Sequence, residues 1–165
     1  GHTGLTAGFA FVEEVRQFWD GPIALGGAIS SGRAIRAAET LGAELAYVGT
    51  AFIACEESIA DLAYKEMVVG ASAEDILPSK GITGVTANWL RQSLIAAGYD
   101  PANMPEDKKP NFENTNDNSK AWKNVWSAGQ GVGAVTAVEP IAQIVARLKA
   151  EYDFACKLPR FDMKE

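Results

Sequence analysis

The amino-acid sequence predicts an α/β fold with a parallel sheet, and three observations support this prediction. Helical and strand-like patterns alternate along residues 1–70 in the order helix, strand, helix, strand, helix. The two predicted strands, Ile23–Leu25 and Glu44–Val48, are short and mainly apolar, as buried parallel strands are. Each strand ends in glycine and hydroxyl residues, and the segment between them is long enough for a crossover helix.

Three amphipathic helices flank these strands in the prediction. The first runs from Gly8 to Asp20 and is ended by Gly21-Pro22. The second begins at an N-cap of Ser30 or Ser31, and the third runs from about Ser58 to Val69. The apolar residues predicted to face the core are Phe11, Val12, Val15, Phe18 and Trp19 in the first helix, Ile35, Ala38 and Leu41 in the second, and Ile59, Leu62, Ala63 and Met67 in the third.

The second half of the chain is predicted to be helix and loop. Residues 81–98 are expected to form a helix, residues 100–120 a surface loop, and Ala121–Trp126 a short helix. We therefore expect two parts: residues 1–75 with the strands, and a helical, loop-rich C-terminal extension over residues 76–165.

A last helix is predicted over Val138–Tyr152. Its apolar residues recur at helical spacing, and Pro140 falls in its first turn, where a missing N–H is tolerated. The residues expected on its buried face are Val138, Ile141, Val145, Leu148 and Tyr152.

Composition excludes several classes of function. The chain has 165 residues and a formal net charge of -6, which argues against nucleic-acid binding and against an anionic membrane surface. No apolar run approaches the roughly 20 residues of a membrane span. One histidine and scattered carboxylates offer no metal site. Cys55, expected to be buried, and Cys156 are predicted to be reduced thiols of a cytoplasmic protein.

The two loops that follow the predicted strands indicate a phosphate site. Gly27 and Gly49 lack a Cβ, so the backbone can approach an anion closely in both loops. The helix that begins near Ser31 adds the positive end of its dipole, and Thr50 adds a hydroxyl. Either glycine alone is equally well explained as a strand end. Donors in two consecutive βα loops favour a shared phosphate, as in parallel (β/α)8 barrels.

The chain is shorter than the architecture that its loops imply. A complete TIM barrel needs eight strands and about 250 residues, whereas only two convincing parallel strands occur here. The chain also begins at Gly1 in a glycine cluster that suits the loop after a preceding strand. We therefore expect it to be part of a larger barrel protein.

Three further residues have both a functional and an ordinary interpretation. His2, the single histidine, could be a general base at the catalytic face of a barrel, or a loop histidine without a role. Arg33 could add charge to the phosphate site or be a solvated surface residue. Gln130, inside the glycine-rich run Ala128–Gly133, could lie in a backbone wall against a flat ligand or in a flexible turn.

Four segments together resemble the nitronate monooxygenase family, formerly called 2-nitropropane dioxygenases. They are Gly1–Gly4, Gly26–Ala28, Val48–Ser58 and Ala128–Gly133, and they occur in the family's order across essentially the whole chain. The match corresponds to about the C-terminal half of such a protein. The resemblance implies the C-terminal portion of an FMN-binding (β/α)8 TIM barrel.

The resemblance also implies which residues bind the phosphate of FMN. Gly27 and Ala28 match the first phosphate loop, in which the family usually has two glycines, so Ala28 departs from the pattern. Gly49 and Thr50 match the second phosphate loop directly.

The remaining implied roles concern the reaction. His2 would deprotonate a neutral nitroalkane or orient a nitronate, and Gln130 and Gly131 would lie near the flavin. The implied activity is FMN-dependent oxidation of alkyl nitronates by O2 to a carbonyl compound and nitrite.

Two alternatives remain open on the sequence. Related FMN barrels reduce enoyl thioesters or quinones with a nicotinamide cofactor and share the phosphate loops. Alternatively, the chain is a non-catalytic fragment. A half-barrel exposes strand edges and apolar surface, so it is expected to form a homodimer, aggregate or stay partly unfolded.

Overall fold

A computed structural model describes residues 4–106 and 125–158. The described residues form an α/β structure, as predicted. Its helices are α1 (Gly8–Arg16), α2 (Gly32–Thr40), α3 (Thr50–Ile53), α4 (Leu62–Val69), α5 (Arg91–Ala96) and α6 (Ile141–Cys156). Its strands are β1 (Ala24–Gly26), β2 (Leu45–Tyr47), β3 (Ile76–Ser79) and β4 (Ala87–Leu90), and 3₁₀ turns span Ala73–Asp75 and Gln130–Ala134.

The predicted parallel pair is confirmed. β1 and β2 run parallel with Leu25 opposite Ala46, and α2 connects them. Ser31 is the N-cap of α2, and its hydroxyl accepts a hydrogen bond from the N–H of Ala34 at 3.2 Å. A β–α–β unit of this kind brings the loops after both strands to the same edge of the sheet.

A partly exposed ion pair between Arg16 and Glu44 connects α1 to the residues just before both strands. The Arg16 guanidinium donates to the Glu44 carboxylate at 2.7 Å and to the carbonyls of Gly21 and Gly42. Glu44 also accepts the N–H of Ile23 at 2.7 Å. These two donors, the Ile23 N–H above all, hold the pKa of the Glu44 carboxyl below its usual value.

The prediction of one helix over residues 81–98 is wrong. β3 and β4 form an antiparallel hairpin in which Leu77 lies opposite Trp89, and helix is confined to α5. All four residues of β4 are buried, and the Trp89 indole donates to the Ser79 carbonyl at 3.0 Å. A short run that is buried on both faces has no periodicity that separates strand from helix.

The predicted faces of α1 and α4 are only partly correct. In α1, Val12 is buried, but Phe18 and Trp19 beyond its end are exposed. α4 begins at Leu62 rather than Ser58, and it buries Lys65 and Val68 instead of the predicted face. Ile59 is fully exposed. The Lys65 ammonium donates to the Glu56 carbonyl at 3.1 Å, which allows a lysine to face inward.

Helix α6 begins later and ends later than predicted. Pro140 is its N-cap rather than a residue of its first turn. The Glu57 carboxylate accepts the N–H of Ile141 at 2.9 Å, so a distant acidic side chain caps this helix. Ile144 and Leu148 are buried, whereas Ile141 and Val145 are not. Which residues of a helix are buried depends on the elements that pack against it. The elements that pack against α6 lie far away in the sequence, so the residues of α6 alone do not determine its buried face.

α6 packs against α2, and glycine permits the close approach. A Cβ at Gly32 would overlap the Leu148 carbonyl oxygen and the Tyr152 nitrogen. The Tyr152 hydroxyl donates to the Glu39 carboxylate at 2.7 Å. This bond, together with one to Cys156, raises the pKa of Tyr152 to about 12.

The main core cluster contains residues from both predicted parts of the chain. Ala51, Ala54 and Val68 pack with Val132 and Ile144. The division into residues 1–75 and 76–165 stays a prediction. Of the predicted helix Ala121–Trp126, residues 121–124 lie outside the described residues, as does most of the loop predicted over residues 100–120, while Val125 and Trp126 are not helical.

Both cysteines lie in the described residues. Cys55 is buried and its thiol donates to the Phe52 carbonyl, whereas Cys156 is exposed; both are free thiols. Over residues 4–106 and 125–158, no helix is long and apolar enough to cross a membrane. The same residues contain no group of side chains suited to hold a metal ion.

The glycine at the α2–α6 contact gives a first prediction. Gly32→Ala should lower the free energy of unfolding by about 2–3 kcal/mol, because its Cβ would meet backbone atoms that cannot turn aside. The control is Gly70→Ala, where φ is -85° and the nearest atom to a Cβ is the Glu66 carbonyl oxygen at 3.5 Å. Urea unfolding followed by circular dichroism measures both variants. Equal stabilities would contradict this account of the contact.

Candidate functional site

A cavity of about 280 Å³ lies where β1 and β2 end. We call it the loop cavity. Three segments line it: the β1 loop (residues 26–30), the β2 loop (residues 47–53, through Tyr47, Gly49, Thr50 and Ile53) and the glycine-rich segment (residues 127–131). Five of the predicted site residues line this cavity: Gly27, Ala28, Gly49, Thr50 and Gly131. Residues about 100 positions apart in the sequence are therefore brought to one place.

The β1 loop has an unusual backbone. Gly27 has φ of 125° and Ala28 has φ of 54°, both in the region that favours glycine. A non-glycine residue in the left-handed conformation costs about 1–2 kcal/mol. Ala28 thus has a conformation that a second glycine would adopt more easily.

The loop cavity offers hydrogen-bond donors without protein partners. Within residues 4–106 and 125–158, the backbone N–H groups of Ala28, Gly49 and Thr50 donate to no protein acceptor. A Cβ on Gly49 would meet nothing within 4 Å, so this part of the wall faces open space. Backbone N–H groups that face a cavity need an acceptor, and an anion can satisfy several of them at once.

Thr50 joins the β2 loop to the glycine-rich segment. Its Oγ1 accepts the N–H of Gly129 at 2.8 Å, which leaves the hydroxyl proton able to donate into the cavity. The contact is close, since a Cβ on Gly129 would lie 3.0 Å from that oxygen. At Gly131 a Cβ would overlap the Ser30 hydroxyl and lie 3.1 Å from the carbonyl carbon of Ala28. Both glycines are needed for this approach.

The loop cavity has no charged lining among the residues that the structure describes. The Arg33 guanidinium lies 5.3 Å from the ring centroid of Phe154 and is engaged with that ring instead. The Gly32 N–H at the N-terminus of α2 donates to the Glu151 carboxylate of α6 at 2.7 Å, so this donor is already bonded within the protein. The predicted contribution of the α2 dipole to the phosphate site stays a prediction.

A second cavity, of about 410 Å³, lies on the other side of the β1 loop. We call it the side cavity. Gln130 lines the side cavity rather than the loop cavity, together with Gly4 and the apolar side chains of Phe9, Phe11 and Leu25. His2 lies outside the described residues. Its predicted role therefore stays a prediction, although Gly4, two residues later, borders the side cavity.

Sequence reasoning missed several residues of the site. Ser30 and Ser127 line the loop cavity, and Tyr47 borders it from the end of β2. Ser30 was interpreted only as a helix cap, and nothing local in the sequence distinguishes Ser127. Only their position in the sequence could have indicated them. Each lies two residues before a glycine that allows close contact between chain segments, Ser30 before Gly32 and Ser127 before Gly129.

Comparison with known proteins supplies the family. The sequence model of the family described as nitronate monooxygenase matches residues 1–151. The chain belongs to the nitronate monooxygenase family. A nitronate monooxygenase of Pseudomonas aeruginosa is 31% identical over 142 residues, which are 79% of this chain and 39% of that protein. One from Paraburkholderia phytofirmans is 38% identical over 80 residues, 48% of this chain and 22% of that protein.

Solved structures agree with the fold of this family member. A mutant of FabK from Thermotoga maritima superposes with a TM-score of 0.69 at 26% identity, over 95% of this chain and 50% of that one. Nitroalkane oxidase from Streptomyces ansochromogenes gives 0.68 at 25% identity, over 90% of this chain and 44% of that one. The chain thus spans half or less of the length of these relatives.

The strained residue of the β1 loop gives a second prediction. Ala28→Gly should raise the free energy of unfolding by about 0.5–1 kcal/mol, because the relief of left-handed strain exceeds the added entropy of the unfolded chain. The same substitution at Ala150, an exposed position inside α6, should instead lower it by about 1 kcal/mol. Denaturant titration of the two variants measures the change in the free energy of unfolding, which should be positive for Ala28→Gly and negative for Ala150→Gly. A loss of stability at both positions would rule out strain at Ala28.

Proposed function

We propose that the loop cavity binds the phosphate of FMN and that the protein oxidises alkyl nitronates with O2 to a carbonyl compound and nitrite. The observation that carries the proposal is that Ala28, Gly49 and Thr50, whose backbone N–H groups have no protein acceptor among the described residues, line one cavity. A phosphate monoester has three terminal oxygens that accept such bonds, and the Thr50 hydroxyl adds a donor. Membership of the nitronate monooxygenase family supports the choice of flavin and reaction.

The residues fit this cofactor in shape as well as in chemistry. A Cβ on Gly49 would project into open space at the cavity wall, and glycine at position 129 permits the close contact with the Thr50 hydroxyl. The β1–α2–β2 unit then corresponds to two βα units of the C-terminal portion of a TIM barrel, with the phosphate at the strand ends. Bound there, FMN supplies the electron transfer from the nitronate and to O2.

The chain's own residues would bind the cofactor, orient the flavin and the substrate, and remove a proton from a neutral substrate. The two loops hold the phosphate. Gln130 and Gly131 flank the flavin, with the Gln130 amide as both donor and acceptor at the side cavity. His2 takes the proton from the carbon of a neutral nitroalkane or orients the nitronate. This role rests on the Gly1–Gly4 motif alone, and the nitronate substrate needs no such proton transfer.

A second candidate is an FMN-dependent reductase that uses a nicotinamide cofactor on an enoyl thioester or a quinone. We keep this candidate because the chain is also similar in structure to FabK, a protein that is not named as a nitronate monooxygenase. Both candidates use the same phosphate site. They differ in the electron donor.

One experiment separates the candidates. The protein is purified with its bound flavin, an alkyl nitronate is added without oxygen, and the visible spectrum is recorded before air is admitted. Flavin reduction by the nitronate followed by oxygen uptake supports the oxidation. Reduction only by a reduced nicotinamide cofactor transfers the protein to the second candidate. Absence of bound flavin, with none taken up from added FMN, contradicts the phosphate site and favours a non-catalytic fragment.

The Thr50 hydroxyl gives a third prediction. Thr50→Val keeps the shape of the side chain but removes the donor and the acceptor, so the dissociation constant of FMN should rise about 10- to 100-fold. Riboflavin, which lacks the phosphate, should bind the variant and the wild type alike. Thr40→Val, at an exposed end of α2, is the matched control. Fluorescence titration measures the six dissociation constants, and equal losses for both flavins in Thr50→Val would contradict phosphate binding at Thr50.

The proposed base gives a fourth prediction. His2→Asn should reduce the rate of oxygen uptake with a neutral nitroalkane by about 100-fold or more, within the range for loss of a general base. The rate with the preformed nitronate should fall far less, because no proton remains to be removed. Equal losses on both substrates would count against the general-base role.

A further inference from the structure

Main-chain groups of Trp126, which precedes the glycine-rich segment, and of Ser127, its first residue, form hydrogen bonds with residues outside the loop cavity. The Leu90 N–H donates to the Trp126 carbonyl at 2.9 Å, which extends the edge of β4. The Trp126 N–H donates to the Ser93 hydroxyl oxygen at 2.6 Å, and the Tyr64 hydroxyl donates to the Ser127 carbonyl at 2.5 Å. These bonds come from β4, α5 and α4.

These contacts are buried and mutually supporting. Ser93 and Leu90 are almost completely buried. The ring of Tyr64 also stacks on that of Trp126, with centroids 5.0 Å apart and planes inclined by 11°. Burial raises the pKa of the Tyr64 hydroxyl, which therefore keeps its proton as a donor. Main-chain atoms of two successive residues are thus fixed by side chains that do not line the cavity.

The connection to the proposed phosphate site is short. From the Ser127 carbonyl the chain continues through Ala128 to the N–H of Gly129, which donates to Thr50 Oγ1. That bond decides where the Thr50 hydroxyl proton can point, because it takes one lone pair of the oxygen. A shift of the Ser127 carbonyl would move the Gly129 donor and so release the Thr50 hydroxyl.

We propose that Tyr64 and Ser93 are positioning residues of the phosphate site, which act on the cofactor through the glycine-rich segment and the Thr50 hydroxyl. The inference rests on the proposed binding of FMN. It assigns a function to the β3–β4 hairpin and α5, which otherwise only pack against the core. Tyr64 of α4 and Ser93 of α5 thereby orient one donor of the site, the Thr50 hydroxyl, through the glycine-rich segment.

The test is a double-mutant cycle on FMN affinity. Tyr64→Phe keeps the ring that stacks on Trp126 and removes the donor to Ser127. It should raise the dissociation constant of FMN about three- to tenfold, the loss of one hydrogen bond. In a Thr50→Val background the same substitution should have an effect below twofold, because the hydroxyl that it orients is gone. Tyr99→Phe, a tyrosine that lines neither cavity, is the matched control.

A second measurement does not depend on the cofactor. Without flavin, amide hydrogen exchange of residues 127–131 should quicken in Tyr64→Phe and in Ser93→Ala, while the urea midpoint of Tyr64→Phe stays near that of the wild type. A merely structural role would lower the midpoint and affect FMN and riboflavin equally.

The outcomes separate this inference from the proposed function. A threefold or larger loss that disappears in the Thr50→Val background supports the positioning role. FMN binding by the wild type with additive effects of the two substitutions, or with no effect of Tyr64→Phe, overturns the positioning role and leaves the proposed function intact. Failure of the wild type to bind FMN overturns both.

Discussion

The contact between α2 and α6 at Gly32 is the constraint on which the rest of the arrangement depends. At this position the backbones of two helices approach so closely that a single Cβ would overlap atoms of the other helix. The contact brings the C-terminal segment back onto the β–α–β unit, where Val132 and Ile144 complete the main core cluster. It also places Glu151 on the N-terminus of α2, so that this helix end is satisfied within the protein.

A consequence is that the loop cavity depends on backbone N–H groups of the β1 loop and of the start of α3 rather than on the α2 N-terminus or on cationic side chains. Its unpartnered donors are peptide N–H groups, and its approach distances are set by Gly129 and Gly131. Such a site recognises an acceptor by geometry, with little dependence on the charge of nearby side chains. Such a site needs its donors at fixed positions. The hydrogen bond between Thr50 and Gly129 keeps the β2 loop and the glycine-rich segment in a fixed position relative to each other.

The sequence predicted those parts of the structure whose determinants are local. The spacing of apolar runs predicted β1, α2 and β2, and the hydroxyls of Ser30 and Ser31 predicted the helix start, which the structure places at Ser31. The glycines after both strands predicted two loops of one cavity. Prediction failed where burial is decided by distant segments: β4 is buried on both faces and has no periodic signal, and α4 turns Lys65 inward because the Glu56 carbonyl can accept its ammonium.

The sequence by itself therefore determined the fold class, the family resemblance and five of the residues at the loop cavity. Only the tertiary structure decided that Glu151 accepts the N–H of Gly32 at the α2 N-terminus, that Arg33 lies over Phe154, and that Gln130 lines the side cavity. The physical reason is sequence separation. A turn, a cap or a strand end depends on a few neighbouring residues, whereas the partner of a charged or polar side chain is chosen by packing between segments about 100 residues apart.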